Sequence, residues 1–350
     1  MKHRHSLYFL APYEVAIRQE LVPSPGRGEV LVRSAVSAIS AGTEMLFYRD
    51  QVPGDLVVDA TIDGLDKQVS YPLKYGYAVV GRVISLGPDV DNNWLGRMVF
   101  VFHSHESHFV AKVSNLHPVP QGLAAETAVF LPLMETAVSF LMDGQPMIGE
   151  QVALFGQGIV GLLTTSLLAD YPLASLVTLD PFPLRREWSL KLGAQATLDP
   201  GEVNVLERLK ALLQGKGSYE GADLAFELSG NPQALDQAIA ITGYDGRLLI
   251  GSWYGQKPVA LALGGRFHRS HMRLISSQVS YIAPRWRGRF DHVRRLKSAW
   301  SLLAKQKPDR LITHRFPIDQ ASQAYQLLDQ HPESIVQVVF TYDDSDFVSR

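Results

Sequence analysis

The stretch Gln151-Val152-Ala153-Leu154-Phe155-Gly156-Gln157-Gly158-Ile159-Val160-Gly161 decides the fold. Five residues of strand composition run straight into glycines at the spacing G-x-G-x-x-G, and an apolar helical segment follows to Ala169. Asp180 stands 19 residues beyond Gly161, at the end of the next strand-like run, Leu176 to Leu179. Strand, glycine turn, helix, strand and acid, in that order, predict a dinucleotide site. Gly156 is expected to permit the tight turn, Gly158 to let the backbone approach a pyrophosphate, and Gly161 to let the helix pack close to the sheet. Gln157, Ile159 and Val160 complete the turn, where free N–H groups and a partial positive charge would face the phosphates. Asp180 is expected to accept hydrogen bonds from the adenosine ribose and to repel a further phosphate, which favours NAD. Arg185 and Arg186 follow closely and keep NADP open as the less favoured cofactor.

Working downstream, strands and helices alternate. A helix is expected around Leu184 to Lys191, a strand Ala196 to Leu198, a helix Val203 to Leu213, and a strand Asp223 to Leu228. A helix Pro232 to Ile241 follows, with strands Arg247 to Gly251 and Leu274 to Ser277. Six strands with intervening helices predict an α/β fold with a doubly wound parallel sheet. The tail reads as a helix Arg289 to Ala304, a strand Leu311 to Phe316, a helix Ile318 to Leu328 and a strand Ile335 to Phe340.

Upstream, Glu29 to Ile39 alternates as a strand does, and short β-rich runs follow at Val79 to Ile84, Met98 to Phe102 and His108 to Val113. Residues Asp50 to Lys67 are polar, have no clear period, and read as a loop or short helix. After Glu126 the apolar stretches lengthen, and Gly144, Pro146 and Gly149 mark a hinge. The domains are therefore expected at 1–125, completed by 290–350, and at 126–289.

The bulk numbers exclude several partner classes. The 350 residues, 46% hydrophobic, exceed what a single core usually serves. Lys plus Arg is 33 against 35 for Asp plus Glu, a net charge of -2 that gives no drive toward nucleic acid. The cluster Arg285, Arg287, Arg289, Arg294 and Arg295 is a local exception, read as a solvated loop and helix face or as an anion site. There is no cysteine, so disulfides and thiolate metal sites are excluded, in keeping with a reducing, cytoplasmic setting. The basic N-terminus lacks the apolar core of a signal peptide, and no run approaches the roughly 18 apolar residues of a membrane span.

Several blocks together resemble the medium-chain dehydrogenase/reductase superfamily over nearly the whole chain. They are Pro25-Gly26-Arg27-Gly28-Glu29-Val30-Leu31-Val32, Ala41-Gly42-Thr43-Glu44, Gly76-Tyr77-Ala78-Val79-Val80-Gly81-Arg82-Val83, the glycine block, the run Gly221 to Pro232, and Gly246 to Gly251. The resemblance implies a GroES-like, mostly-β catalytic domain beside the Rossmann domain, with nicotinamide and a small-molecule substrate in the cleft between them. It also implies that Ser229, Gly230, Gly251 and Ser252 line the cofactor, that Thr136 lies near the nicotinamide, and that the chain is a homodimer.

Zinc members of that superfamily hold the metal with a cysteine in the first turn, a histidine-glutamate pair, and a ligand near the hinge. The corresponding positions here are Ser40 or Ala41, Tyr77 with Ala78, and Leu131, which make no zinc site. His103, His105, Glu106 and His108 lie close together, but on a strand His108 would point away from the other two, so they read as an exposed strand or loop. Without a metal to stabilise an alkoxide, two reactions stay plausible: oxidation of an activated secondary alcohol, or reduction of a conjugated double bond. Ile39 to Glu44 and Gly76-Tyr77 look similar to a zinc-free branch that includes the dehydrogenase oxidising a hydroxyethyl group on a chlorin ring with NAD. The runner-up is an NADPH-dependent enone or quinone reductase, and a catalytically silent nucleotide sensor or scaffold is a third reading. Thr43, Tyr77 and Glu135 are the candidates for handling the proton. Each has a plainer alternative: a turn hydroxyl bonded to backbone, a space-filling aromatic, and a helix-terminal charge. Trp253 and Tyr254 would stack on a flat substrate or cover the sheet.

Overall fold

A computed structural model describes residues 2–57, 68–213 and 220–342. The chain opens with β1 (His3–Ala11) and β2 (Glu14–Leu21), an antiparallel hairpin, then β3 (Glu29–Ala38) and α1 (Ala41–Tyr48). β4 (Val79–Leu86), β5 (Met98–Val101), β6 (His108–Lys112) and β7 (His117–Pro118) follow, then α2 (Ala125–Ala128) and α3 (Leu131–Gly144). The middle of the chain alternates: β8 (Gln151–Phe155), α4 (Ile159–Leu168), β9 (Ser175–Leu179), α5 (Pro183–Lys191), β10 (Ala196–Leu198), α6 (Val205–Leu212), β11 (Ala222–Glu227), α7 (Pro232–Ile241), β12 (Thr242–Ile250) and β13 (Arg273–Ser276). It closes with α8 (His292–Gln306), β14 (Ile312–Pro317), α9 (Ala321–Gln330) and β15 (Gln337–Thr341).

Two compact units result, Met1–Pro132 with Trp300–Arg350, and Leu133–Ala299. Their divisions fall inside α3 and α8 rather than at 125 and 289, since glycine and proline mark loops and both crossings are helical. In the first unit the tail returns: β15 pairs antiparallel with β3, Val339 opposite Ala38, within a sheet ordered β14-β15-β3-β4-β5-β7. Leu7, Phe9, Phe47, Tyr75, Tyr325 and Phe340 form one core beneath the hairpin and α1, and Val32, Val79, Val99 and Phe109 form another. In the second unit the parallel sheet runs β10-β9-β8-β11-β12-β13, so the order reverses between β8 and β11. Val152, Leu154, Leu176, Leu224, Phe226 and Leu249 fill one face, and Ala153, Phe155, Val177, Leu179, Ala225 and Leu248 the other. Strands apolar on both faces are what a sheet covered by helices on both sides requires.

One local expectation differs from the structure. The segment Ala41-Gly42-Thr43-Glu44 is the first turn of a helix, not an isolated turn. Of the loop Asp50 to Lys67, residues 58 to 67 lie outside the described residues.

Candidate functional site

The carboxyl ends of β8, β9, β11 and β12 carry most of the residues expected to hold a cofactor. Gly156, directly after β8, has φ +92°, a backbone that side chains rarely adopt, and a Cβ there would meet Ser229 N at 2.6 Å. A Cβ on Gly161 would come within 2.0 Å of the Gly156 carbonyl oxygen, so the first turn of α4 sits directly on the glycine turn. Gly158 has open space where its Cβ would be and serves as the N-cap of α4, with no side-chain cap. A helix start left bare in this way, with backbone on its flank and Ile159 and Val160 in its first turn, has the geometry to receive an anion. Gln157 lends it no free donor, since its N–H goes to Asp180 Oδ2. Its side chain is buried, accepting from Thr165 Oγ1 at 2.9 Å and donating to the Gly156 carbonyl at 3.2 Å.

Asp180 lies just past β9, 2% exposed. Its Oδ2 accepts the Gln157 N–H at 2.7 Å and its Oδ1 the Phe182 N–H at 2.9 Å. The acid is thereby fixed beside the glycine turn, and each oxygen keeps capacity to accept a further hydroxyl. Burial pushes its pKa up, opposed by the Arg185 guanidinium and by the two N–H donors. Arg185 Nη1 is 4.0 Å from Oδ2, and its guanidinium lies over the Phe182 ring. Arg186 is committed elsewhere, donating to the carbonyls of Asp180 and Pro181 at 2.8 Å and to Asp199 at 3.2 Å.

Across β8 from Asp180, Ser229, Gly230, Gly251 and Ser252 gather around one residue that the sequence reading did not single out. Glu227, the last residue of β11 and 0% exposed, accepts on Oε1 from Ser229 N at 2.7 Å, Ser229 Oγ at 2.5 Å and Gly230 N at 3.1 Å. Its Oε2 accepts the Tyr254 hydroxyl at 2.6 Å. Gly230 N also donates to Ser252 Oγ at 2.8 Å, and Gly251 N to the Glu227 carbonyl at 3.0 Å. Burial, reinforced by the Glu227 carboxylate, pushes the Tyr254 phenol far above its ordinary range. Tyr254 thus covers the sheet, while Trp253 beside it is 38% exposed. The signal for Glu227 was an acid closing the strand Ala-Asp-Leu-Ala-Phe-Glu on its buried run, whereas the other acid, Asp223, is exposed. Thr136 is the one residue of Leu131 to Phe140 that is only partly buried.

Glu135 is neither a helix-terminal charge nor an available base. It sits within α3, 5% exposed, and accepts from Arg295 Nε at 2.9 Å. Arg295, 2% exposed, also donates to the Val279 carbonyl at 2.6 Å, so it does not belong to a solvated arginine face. Arg285 is paired with Asp143, and Arg287 and Arg294 donate to main-chain carbonyls.

In the other unit, the positions that the resemblance assigns to zinc ligands hold one another. The Tyr77 hydroxyl donates to Ser40 Oγ at 2.5 Å. Ser40 is the N-cap of α1, and its N–H donates to Glu44 Oε1 at 2.7 Å. Glu44 is fully buried, and its Oε2 accepts from the Tyr325 hydroxyl and from His105 Nε2, the latter at 3.0 Å. The opposite ring nitrogen, Nδ1, is 2.7 Å from Ser37 Oγ, which is 2.7 Å from the Tyr342 hydroxyl. The Thr43 hydroxyl has no partner among the described residues, so it is not bonded to backbone as a turn hydroxyl would be. Serine, alanine, tyrosine and the fully buried Leu131 are not a donor set for zinc, and no group of three metal-ligating side chains occurs among the described residues. His103, His105 and Glu106 lie between β5 and β6 and are not on a strand. His105 is 0% exposed, which corrects the expectation of an exposed segment.

Residues 160–295 match the family described as Zinc-binding dehydrogenase. The D-guloside 3-dehydrogenase of Escherichia coli K12 is 25% identical over 338 residues, covering 90% of this chain and 93% of its own. Among solved structures, a zinc-dependent alcohol dehydrogenase of Streptococcus pneumonia has a TM-score of 0.79 at 19% identity, with 99% of each chain covered. An Escherichia coli CFT073 alcohol dehydrogenase solved with NADH has a TM-score of 0.78 at 18% identity, covering 97% of this chain and 99% of its own. Part of the chain is thus similar in sequence to the zinc-binding dehydrogenases, and over almost its whole length the chain shares the GroES-like plus Rossmann fold of the alcohol dehydrogenases.

Proposed function

We propose that this protein is an NAD(H)-dependent oxidoreductase that works without a catalytic metal, interconverting an activated secondary alcohol and its ketone. The observation that carries the reading is the bare glycine turn at Gly156, Gly158 and Gly161 with Asp180 fixed beside it. The residues fit a dinucleotide: α4 receives the pyrophosphate, Asp180 the adenosine ribose, and the ends of β11 and β12 the remaining half. When bound, NAD(H) supplies the hydride chemistry. The protein's own task is to hold the nucleotide and handle the hydroxyl proton, and the Tyr77–Ser40 pair is the candidate for the second. A phenol donating to a serine offers a proton path but little charge stabilisation, so the substrate must delocalise its own charge. A carbonyl conjugated with an aromatic system, such as an acetyl group on a large conjugated ring, meets that demand. The resemblance supports a cytoplasmic homodimer, and no helix among the described residues is long and apolar enough to cross a membrane.

Turnover by chelator-treated protein tests this reading. We expect NADH-dependent reduction of aryl methyl ketones that added zinc does not raise. Activity that vanishes with the chelator and returns with zinc contradicts it, and activity confined to NADPH and enones transfers the assignment to double-bond reduction.

Cofactor choice gives a separate prediction. Asp180→Ala removes the ribose acceptor and frees Arg185, 4.0 Å away, for a phosphate. NADH affinity is expected to fall about tenfold, the worth of a charge-assisted hydrogen bond, while NADPH affinity holds or rises. Equal losses for both nucleotides would remove Asp180 as the discriminating residue.

A further inference from the structure

We infer that Glu227 is the positioning residue for the nicotinamide half of the bound dinucleotide, acting through Tyr254 and the Ser229–Gly230 segment. The inference rests on the NAD(H) reading above and adds a residue that neither the glycine motif nor the zinc positions point to. The sheet order places β9, with Asp180, on one side of β8 and places β11 and β12 on the other. A dinucleotide with its ribose at Asp180 and its phosphates over α4 must continue across the ends of β11 and β12.

Those two ends are tied by the one buried carboxylate. Three donors from the loop after β11 converge on Oε1, and the Tyr254 hydroxyl, from the loop after β12, closes on Oε2. The loop after β11 in turn backs onto the phosphate turn, where Ser229 N would lie 2.6 Å from a Cβ at Gly156. Ser252 Oγ adds a second tie, accepting from Gly230 N and donating to the Glu227 carbonyl at 3.3 Å. An ionised carboxylate accepts at both ends, which no neutral side chain of the same shape does. Glutamine could satisfy the fixed backbone N–H groups with its oxygen, but its amide would then face Tyr254 and force that hydroxyl to turn and accept. The charge on Glu227 therefore sets the direction of the Tyr254 hydrogen bond and the spacing of the two loops.

A purely structural role and a positioning role differ in one readout: which half of the nucleotide feels the change. AMP reaches only the Asp180 side, whereas NADH spans both. We therefore titrate the full chain with AMP and with NADH, comparing wild type, Tyr254→Phe and Glu227→Gln, with thermal unfolding measured in parallel. Tyr254→Phe is expected to weaken NADH about tenfold while AMP changes less than about twofold, and Glu227→Gln to act in the same sense. Equal losses for AMP and NADH, or a lower melting temperature with NADH affinity unchanged, overturn the positioning role. A wild-type protein that binds AMP and gains nothing from the nicotinamide half overturns the inference and leaves the nucleotide site standing. One that binds neither overturns both.

Discussion

Tyr77→Phe is expected to lower kcat for the ketone–alcohol reaction roughly 10²- to 10³-fold while leaving NADH affinity within about twofold. The change keeps the ring, which packs against the core of Leu7, Phe47 and Tyr75, and removes only the hydroxyl that donates to Ser40. Loss of fold is therefore not the expected outcome. Ser40→Ala tests the same path from the other end, since it takes away the acceptor and leaves the phenol in place. If the two groups act as a unit, the double variant is no slower than the worse single variant. A Tyr77→Phe enzyme with undiminished kcat would reduce the phenol to an aromatic filling a vacated metal site. Steady-state kinetics on the three variants decide between these outcomes.

Arg295→Ala is expected to cost about 3–5 kcal/mol of unfolding free energy, because it strands the Glu135 carboxylate in a site where it is nearly inaccessible. The sign of the pH dependence follows from the direction of the Glu135 shift. Burial pushes that pKa up even with Arg295 opposing it, and removal of the guanidinium pushes it further. A carboxyl whose folded pKa lies above its unfolded one adds stability below the unfolded value and loses it as pH rises through the folded value. The gap between Arg295→Ala and wild type should therefore be widest at neutral pH and narrow as the solution is taken into the ordinary carboxylate range. Denaturant melts across that range check it. A gap independent of pH would mean that Glu135 does not carry the cost.

The parallel-sheet unit was legible because its signals are local. The glycine turn, the apolar strands Gln151–Phe155 and Ser175–Leu179, and the acid at position 180 lie within one short segment, and covalent geometry does the rest. What escaped was long-range. The hairpin of β1 and β2 is held down by Arg4, Glu20, Lys74 and Glu106, joined by contacts of 2.8 Å from Arg4 to Glu20, 2.8 Å from Lys74 to Glu20 and 2.9 Å from Lys74 to Glu106. No pattern within the hairpin announces partners so far along the chain. The same holds for Glu135, whose partner lies on another helix, and for His105, which is buried because Glu44 and Ser37 receive it. Of the proton-handling candidates, Tyr77 was readable only by its place in a family pattern, and its serine partner emerged from the fold.

The most direct test is a fluorescence titration of the chelator-treated protein with NADH and, separately, NADPH. The account predicts saturable NADH binding, tighter than NADPH, and unchanged by added zinc. Binding of neither nucleotide, or binding that appears only with zinc, would contradict it.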